Sequence, residues 1–336
     1  AGTPERLRPH CKTHKTREII RLLLARGVSR QKAATLREGE LCLEAGAHDV
    51  VLAYQLVGPA VHQFADLAAR WPEARLTALV DCPEAIDWLA RAAGARQVTV
   101  GAMLDLDTGF HRTGVAVGEG AAQLYAQIAQ TPGLRLAGLH VYDAQNNVYR
   151  DPSARCAAVE QTLARVLDLV ESLQKSGLAV PEILCGGSPT FPCYAGRGAP
   201  IVCSPGTIVF SDDGYSSAYP DLGAAFSPVL GRVISRPAPR HLTLDVGTKA
   251  IAADPPVGKR GVILGLPDAQ TVIHNEEHWT VVSDQADRFR VGDPVLVVPT
   301  HVCPCTNLHP VLYVIGPAGQ LEARWEVAAR HRSLAR

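Results

Sequence analysis

Near its start the chain packs nine chemically dense residues together, Arg8-Pro9-His10-Cys11-Lys12-Thr13-His14-Lys15-Thr16. On an extended strand side chains alternate between faces, so Arg8, His10, Lys12 and His14 share one side. Like charge destabilises the proton of a lysine among cations, which is one route to a neutral, nucleophilic amine. Taken alone the stretch reads as a solvated basic edge strand, and only partners elsewhere in the chain make it a site. One such group is Thr300-His301-Val302-Cys303-Pro304-Cys305. His301 and Cys303, two apart on an extended segment, project to the same side, and imidazole with thiolate suits zinc. Two ligands leave positions open for water or substrate. Cys305 becomes a third ligand if the segment stays extended past Pro304, and a buried histidine beside packed thiols is the plainer alternative. Two glycine-containing turns, Gly186-Gly187-Ser188 and Ser204-Pro205-Gly206-Thr207, offer backbone N–H groups and hydroxyls of the kind a phosphate cup requires.

The elements that must position these residues alternate over the first two thirds of the chain. Strand-like runs cover Leu7 to Thr13, Ser29 to Ala33, Asp49 to Gln55, Arg75 to Asp81, Gln97 to Asp105, Leu134 to Tyr142, Glu182 to Gly186 and Pro200 to Cys203. Amphipathic helices separate them; the clearest takes Asp151 as N-cap and Pro152 as first residue, and stops at Gly177. Eight strands with helical crossovers predict a (β/α)8 TIM barrel over 1–225, with ligands at the C-terminal ends of the strands. A doubly wound open sheet is the alternative. Asp107 to Gly114 follows the fifth strand, Tyr142-Asp143 the sixth, and the two turns follow the seventh and eighth, the loops that often hold phosphate in such barrels. Residues 226–336 change texture. Arg240 to Gly247, Gly261 to Gly265, Trp279 to Val282, Pro294 to Pro299 and Val311 to Ile315 read as short antiparallel strands of a smaller all-β domain, with helical period returning in the last residues.

Composition narrows the partners. Lys plus Arg, at 33, balance Asp plus Glu, at 33, so nothing electrostatic calls for nucleic acid or an anionic membrane. A small-molecule ligand is expected. No apolar run is long enough to span a membrane and no signal peptide precedes the first motif. Nine scattered cysteines imply free thiols in a reducing, cytoplasmic setting rather than a disulfide framework.

RPHCKTHKT, DTGFHRTG, CGGSPTFP, SPGTIVFSDDGY, LTLDVGTKAIAAD and THVCP occur in this order over nearly the whole chain. Together they resemble the D-threonine aldolase and D-serine dehydratase family, pyridoxal-phosphate (PLP) enzymes with the alanine racemase-like fold. The resemblance implies that Lys12 forms the Schiff base with PLP and that Arg112 lies beside the ring hydroxyl. It implies Gly186, Gly187, Ser188, Gly206 and Thr207 as the phosphate-binding loops, Tyr142 in the cofactor pocket, and His301 and Cys303 as ligands of Zn2+ or another divalent metal such as Mn2+. His10 and His14 either support the lysine strand or meet the substrate carboxylate.

The implied reaction is lysis of a D-3-hydroxy amino acid: in dehydration Lys12 removes the α-proton and the metal helps hydroxide leave, whereas in aldol cleavage the metal lowers the pKa of the β-hydroxyl so that its proton is lost and the Cα–Cβ bond breaks. Dehydration of D-serine or D-3-hydroxyaspartate gives a keto acid and ammonia; aldol cleavage of D-threonine gives glycine and an aldehyde. The His-x-Cys pair is similar to the dehydratase branch, whereas aldolases of the family tend to show His-x-Asp. Racemase activity and a non-catalytic PLP-binding role are the remaining readings. The fold relatives are commonly homodimers. Two departures from the family pattern stand out: relatives extend upstream of Ala1-Gly2-Thr3, and Tyr142-Asp143-Ala144-Gln145 replaces the frequent Tyr-Asp-Gly-His.

Overall fold

The computed structural model describes residues 1–223 and 225–334. They form two compact units, Ala1–Gly206 together with the residues from His331 on, and Thr207–Arg330. The change of texture near residue 225 falls within the second unit.

In the first unit, parallel strands follow one another in chain order: β1 (Arg30–Ala33), β2 (Asp49–Gln55), β3 (Arg75–Val80), β4 (Val100–Asp107), β6 (Leu134–Val141), β7 (Ile183–Cys185) and β8 (Ile201–Cys203), with the two-residue β5 (Val115–Ala116) paired to β4. Helices α1 (Arg17–Leu24), α2 (Leu36–Glu44), α3 (Pro59–Arg70), α4 (Pro83–Ala95), α5 (Glu119–Gln130) and α6 (Pro152–Lys175) connect them, and a single turn, α7 (Phe191–Tyr194), follows β7. Helix α6 starts as its sequence dictates, with the Asp151 carboxylate accepting from Ala154 N–H at 2.8 Å.

The gap between β8 and β1 is filled by residues 7–10. Leu7 bridges Cys203 on one side and His10 bridges Lys32 on the other. Arg8 N–H donates to Cys203 O at 2.9 Å, His10 N–H to Pro205 O at 2.8 Å, and Lys32 N–H to Pro9 O at 3.0 Å. This segment is the eighth stave, and the sheet closes as the expected barrel.

The stave ends sooner than its sequence suggests. Cys11–Thr13 is a turn of 3-10 helix capped by His10, whose Nδ1 accepts from Lys12 N–H at 3.2 Å. Alternation therefore stops at His10, and the four residues expected on one face are dispersed. Arg8, His10 and His14 are buried whereas Lys12 is exposed. His14 accepts from Thr16 N–H through Nδ1 at 3.1 Å, and burial holds it neutral, with its pKa pushed down to about 3.

Val51, Leu79, Met103, Ala137, Leu184 and Val202 fill the middle of the barrel. Near the N-terminal ends of β2 and β7, the Arg8 guanidinium, 2% exposed, meets Glu182 Oε1 at 2.9 Å and Oε2 at 3.0 Å, and Asp49 Oδ1 at 2.8 Å. These two carboxylates raise the Arg8 pKa despite its burial.

The second unit is a six-stranded antiparallel sheet in the order β11 (Gly261–Ile263), β14 (Pro294–Pro299), β9 (Val229–Ser235), β10 (His241–Leu244), β13 (Trp279–Val282), β12 (Gln270–His274), plus a hairpin of β15 (Val311–Ile315) and β16 (Leu321–Glu326). Val233, Leu242, Leu244, Trp279, Val281 and Val297 lie in its core. Strands β9 and β12 are absent from the expected runs because charged, glycine and polar residues break their apolar pattern. The tail read as helical pairs instead as β16, Val311 opposite Glu326.

One expectation about cysteines fails. Cys156 on α6 and Cys193 on α7 are joined in a disulfide, and the other seven are free. The partners are 37 residues apart, so only the packing of α6 against α7 reveals the pair. It removes the premise that had pointed to a reducing compartment. No described helix is long and apolar enough to cross a membrane.

Arg8→Met, which leaves two carboxylates without their cation, lowers the unfolding free energy by about 3 kcal/mol in urea titration. Adding Glu182→Leu recovers part of that loss, since it removes one of the two uncompensated carboxylates and leaves only Asp49.

Candidate active site

Lys12 reaches the mouth of the barrel because the chain leaves the eighth stave in a 3-10 turn directly after His10. The loop after β4 carries Arg112 and is shaped by Asp107, whose Oδ1 accepts from Gly109 N–H at 2.9 Å and His111 N–H at 3.0 Å. Burial pushes the Asp107 pKa up, but these hydrogen bonds prevail and hold it low. Arg112 lies over the Tyr142 ring at 4.4 Å, and Phe110 meets that ring edge-on. Tyr142 in turn abuts Gly187, where a Cβ would fall 3.2 Å from Cε2. The sixth-strand residue thus links the Arg112 loop to the first glycine turn.

The two turns are themselves tied. Gly206 N–H donates to the buried Ser188 Oγ at 3.1 Å, and a Cβ at Gly206 would lie 3.3 Å from His10 Cβ, so the second turn sits against the base of the lysine turn. Asp143 braces the first turn from behind: Thr190 Oγ1 donates to its Oδ1 at 2.8 Å and Tyr194 OH to its Oδ2 at 2.9 Å, while Gly187 N–H reaches Thr190 Oγ1 at 3.1 Å. Burial raises the pKa of Asp143, and its hydroxyl partners hold it back. Gln145 donates to Thr108 Oγ1 at 3.0 Å, and its Oε1 is buried without a partner.

Beneath the mouth lies a buried polar layer that motif reading missed. Lys32 on β1, 3% exposed, donates to Ser204 Oγ at 2.8 Å. His140 on β6 holds Asp105 Oδ1 through Nδ1 at 2.6 Å; Gln55 Nε2 and Thr113 Oγ1 donate to Asp105 Oδ2 at 2.7 and 2.8 Å. Burial lowers the Lys32 pKa to about 7; Asp105 resists and the charges of Lys12, Arg112 and Arg8 assist. Burial and the neighbouring Lys32 likewise lower His10 and His140. His140 Nε2 is buried without a partner. Only register exposes this layer in the sequence: Lys32 is level with Val51, and Asp105 with His140.

In the second unit, Thr300-His301-Val302-Cys303-Pro304-Cys305 is not extended throughout. His301 caps a short helix, α9 (Val302–Leu308), and Asp212 Oδ2 anchors that helix by accepting from Val302 N–H at 2.8 Å. His301 and Cys303 still meet through a side-chain hydrogen bond. With Asp254, which pairs with His301 Nδ1, that bond raises the His301 pKa to about 9 against its burial. Thr207 Oγ1 lies 3.6 Å from Cys303 Sγ. The helix turns Cys305 away from this group: it is buried in the sheet core, 3.8 Å from Ala250 O, and burial pushes its thiol up to about 11. Cys305 is therefore not placed as a third ligand. Asp254, which motif reading passed over, sits where a carboxylate orients a ligating histidine.

Comparison with known proteins follows these features. The family model "Alanine racemase, N-terminal domain" matches residues 1–212, and "Putative serine dehydratase domain" matches 227–315. D-threonine aldolase of Arthrobacter sp. is 31% identical over 96% of this chain and 85% of its own length. The chain belongs to the D-threonine aldolase and D-serine dehydratase family. A D-threo-3-hydroxyaspartate dehydratase of Delftia sp. (strain HT23), 25% identical over 96% of this chain and 89% of its own, is a further relative. Among solved structures, D-threonine aldolase from Filomicrobium marinum superposes with a TM-score of 0.88 at 28% identity, covering 96% of this chain and 88% of that one. The family's members are PLP-dependent lyases with the alanine racemase-like fold.

The residues present fit the family's cofactor. An exposed lysine, a guanidinium held on an aromatic face, linked glycine turns and an orphaned buried imidazole nitrogen meet at one barrel mouth. In the second unit the donor set fits a divalent cation: with Nδ1 of His301 engaged by Asp254, the other ring nitrogen and the Cys303 sulfur, hydrogen-bonded to each other, form the pair that would bind it. Cys303→Ala abolishes stoichiometric zinc binding in competition with a chromophoric chelator, whereas Cys305→Ala leaves it unchanged. Asp254→Ala weakens zinc affinity by roughly ten- to a hundredfold.

Proposed function

We propose that the protein is a lyase for D-3-hydroxy amino acids that carries pyridoxal phosphate on Lys12 and a divalent cation, zinc in preference, on His301 and Cys303. The observation that carries this reading is the meeting of Lys12, Arg112 on Tyr142, and the Ser188–Gly206 turn pair at the C-terminal end of one barrel. Pyridoxal phosphate supplies an electron sink for the bonds of the substrate α-carbon, and the cation supplies a Lewis acid for the β-hydroxyl.

The side chains do the rest. The Ser188 hydroxyl and the turns around Gly187 and Gly206, whose N–H groups now donate to Thr190 and Ser188, would bind phosphate oxygens, while Asp143 braces the first turn. Arg112, steadied on the Tyr142 ring, sets a fixed positive charge beside the ring hydroxyl and favours its ionised form. Lys12, with its amine free, would be the base that accepts the α-proton in dehydration. The buried Asp105–His140 pair fixes the floor of the site and excludes water from it.

The His301-x-Cys303 pair, similar to the dehydratase branch of the family, favours dehydration, in which D-serine or D-3-hydroxyaspartate yields a keto acid and ammonia. Aldol cleavage is the second reading, favoured by the 31% identity with an aldolase. Purified protein with PLP absorbs in the visible, and Lys12→Ala loses that band together with activity. Incubation with D-serine, D-threonine and D-3-hydroxyaspartate separates the branches: keto acid plus ammonia supports dehydration, and glycine plus aldehyde supports the aldolase. Turnover of none of the three overturns the lyase assignment. Chelation removes activity, and added zinc restores it.

A further inference from the structure

Lys32 takes no part in the reaction derived above, yet its position is specific. It pairs in register with Val51 of the interior apolar layer, and its Nζ crosses beneath the eighth stave to Ser204, just after β8, at 2.8 Å. A buried lysine is rare unless paired, and this one spends a hydrogen bond on a neutral hydroxyl. Its three ammonium hydrogens exceed what Ser204 accepts.

Three handles fix the direction of a pyridoxal phosphate ring at this mouth. The aldehyde carbon goes to Lys12, the phosphate arm to the turns after β7 and β8, and the ring hydroxyl to Arg112. The ring nitrogen is para to the carbon bearing the aldehyde, so it points away from Lys12 and into the barrel. The groups it can meet there are those of the polar layer. Asp105 is not available, because His140 holds one oxygen and Gln55 and Thr113 the other. His140, with Nδ1 donating to Asp105, offers only an acceptor at Nε2 and would require a protonated ring nitrogen. A pyridinium would add a cation to a layer already bearing Lys32 beside Arg112, with one carboxylate to offset them.

We infer that Lys32, steadied by Ser204, is the partner of the cofactor's ring nitrogen, its ammonium donating a hydrogen bond to the unprotonated nitrogen. Lys32 is thereby a positioning residue that holds the ring neutral. The inference rests on the PLP reading above.

The test compares PLP with its 1-deaza analogue, in which C–H replaces the ring nitrogen, by titrating cofactor-free full-length protein and following the lysine-bound visible band. The wild type prefers PLP by roughly ten- to a hundredfold, the worth of one charge-assisted hydrogen bond. Lys32→Met binds the two within about twofold, with its thermal unfolding checked in parallel. A preference that survives in Lys32→Met, an equal loss of both ligands, or no preference in the wild type overturns the inference. Failure of PLP itself to form a lysine-bound band overturns the cofactor reading instead. A second measurement needs no variant: NMR of wild type loaded with ring-15N PLP shows an unprotonated pyridine nitrogen, and a pyridinium shift overturns the assignment to Lys32.

Discussion

Closure of the barrel by residues 7–10 is the constraint on which the site depends. Three backbone hydrogen bonds tie this segment to β8 and β1, and they alone decide where the chain enters the 3-10 turn that carries Lys12. Pro9 suits this place because its carbonyl accepts from Lys32 while no N–H is required of it. The same segment abuts Gly206 through His10 and places Arg8 among the carboxylates at the other end. A slip of one residue would send His10 to the helices and Arg8 out of its ion pairs, so register of the stave, lysine position and phosphate turn are one structural decision.

Electrostatics within the first unit follow a gradient along the barrel axis. At one end Arg8 is matched by two carboxylates; in the middle the layer is apolar; towards the mouth Lys32, Arg112 and Lys12 outnumber Asp105. Repulsion among these cations, interleaved with Asp105, Asp107 and Asp143, is a standing cost to the folded chain and a standing attraction for a phosphate ester and a carboxylate substrate. An anionic ligand would relieve that repulsion, so binding and folding are coupled here through charge.

How far the sequence revealed this depends on the kind of signal. Residues at strand ends were legible because chain order and turn chemistry place them: Arg112, Tyr142 and the two glycine turns all follow the strands that their patterns predicted. The end of the first stave was not legible, since a 3-10 turn and a strand share the same local composition and only the bonds to β8 and β1 show where the ladder stops. Lys32 was invisible for a different reason. On a four-residue strand, a lysine between Gln31 and Ala33 reads as solvent-facing, and only its level with Val51 turns it inward. Asp254 and the Cys156–Cys193 bond are matters of tertiary proximity at separations of 47 and 37 residues. Whether Cys305 joins the ligands turned on Pro304, and the condition of an extended segment is not met because proline fits well in the first turn of a helix.

The helix start at Val302 also bears on why His301 and Cys303 are suited to an exchangeable, catalytic cation rather than a structural one. A cap residue and the second residue of the helix it caps are set by backbone geometry, and Asp212 fixes that backbone by accepting from Val302 N–H. The two donors are thus preorganised by main-chain bonds, with Asp254 orienting the imidazole, and they do not need the metal to bring them together. Were Cys305 a third ligand, the ion would be more enclosed and the sheet core would lose a packed thiol. By keeping that sulfur inside the core, the fold would leave a cation here with few protein ligands, as an exchangeable rather than a structural ion has.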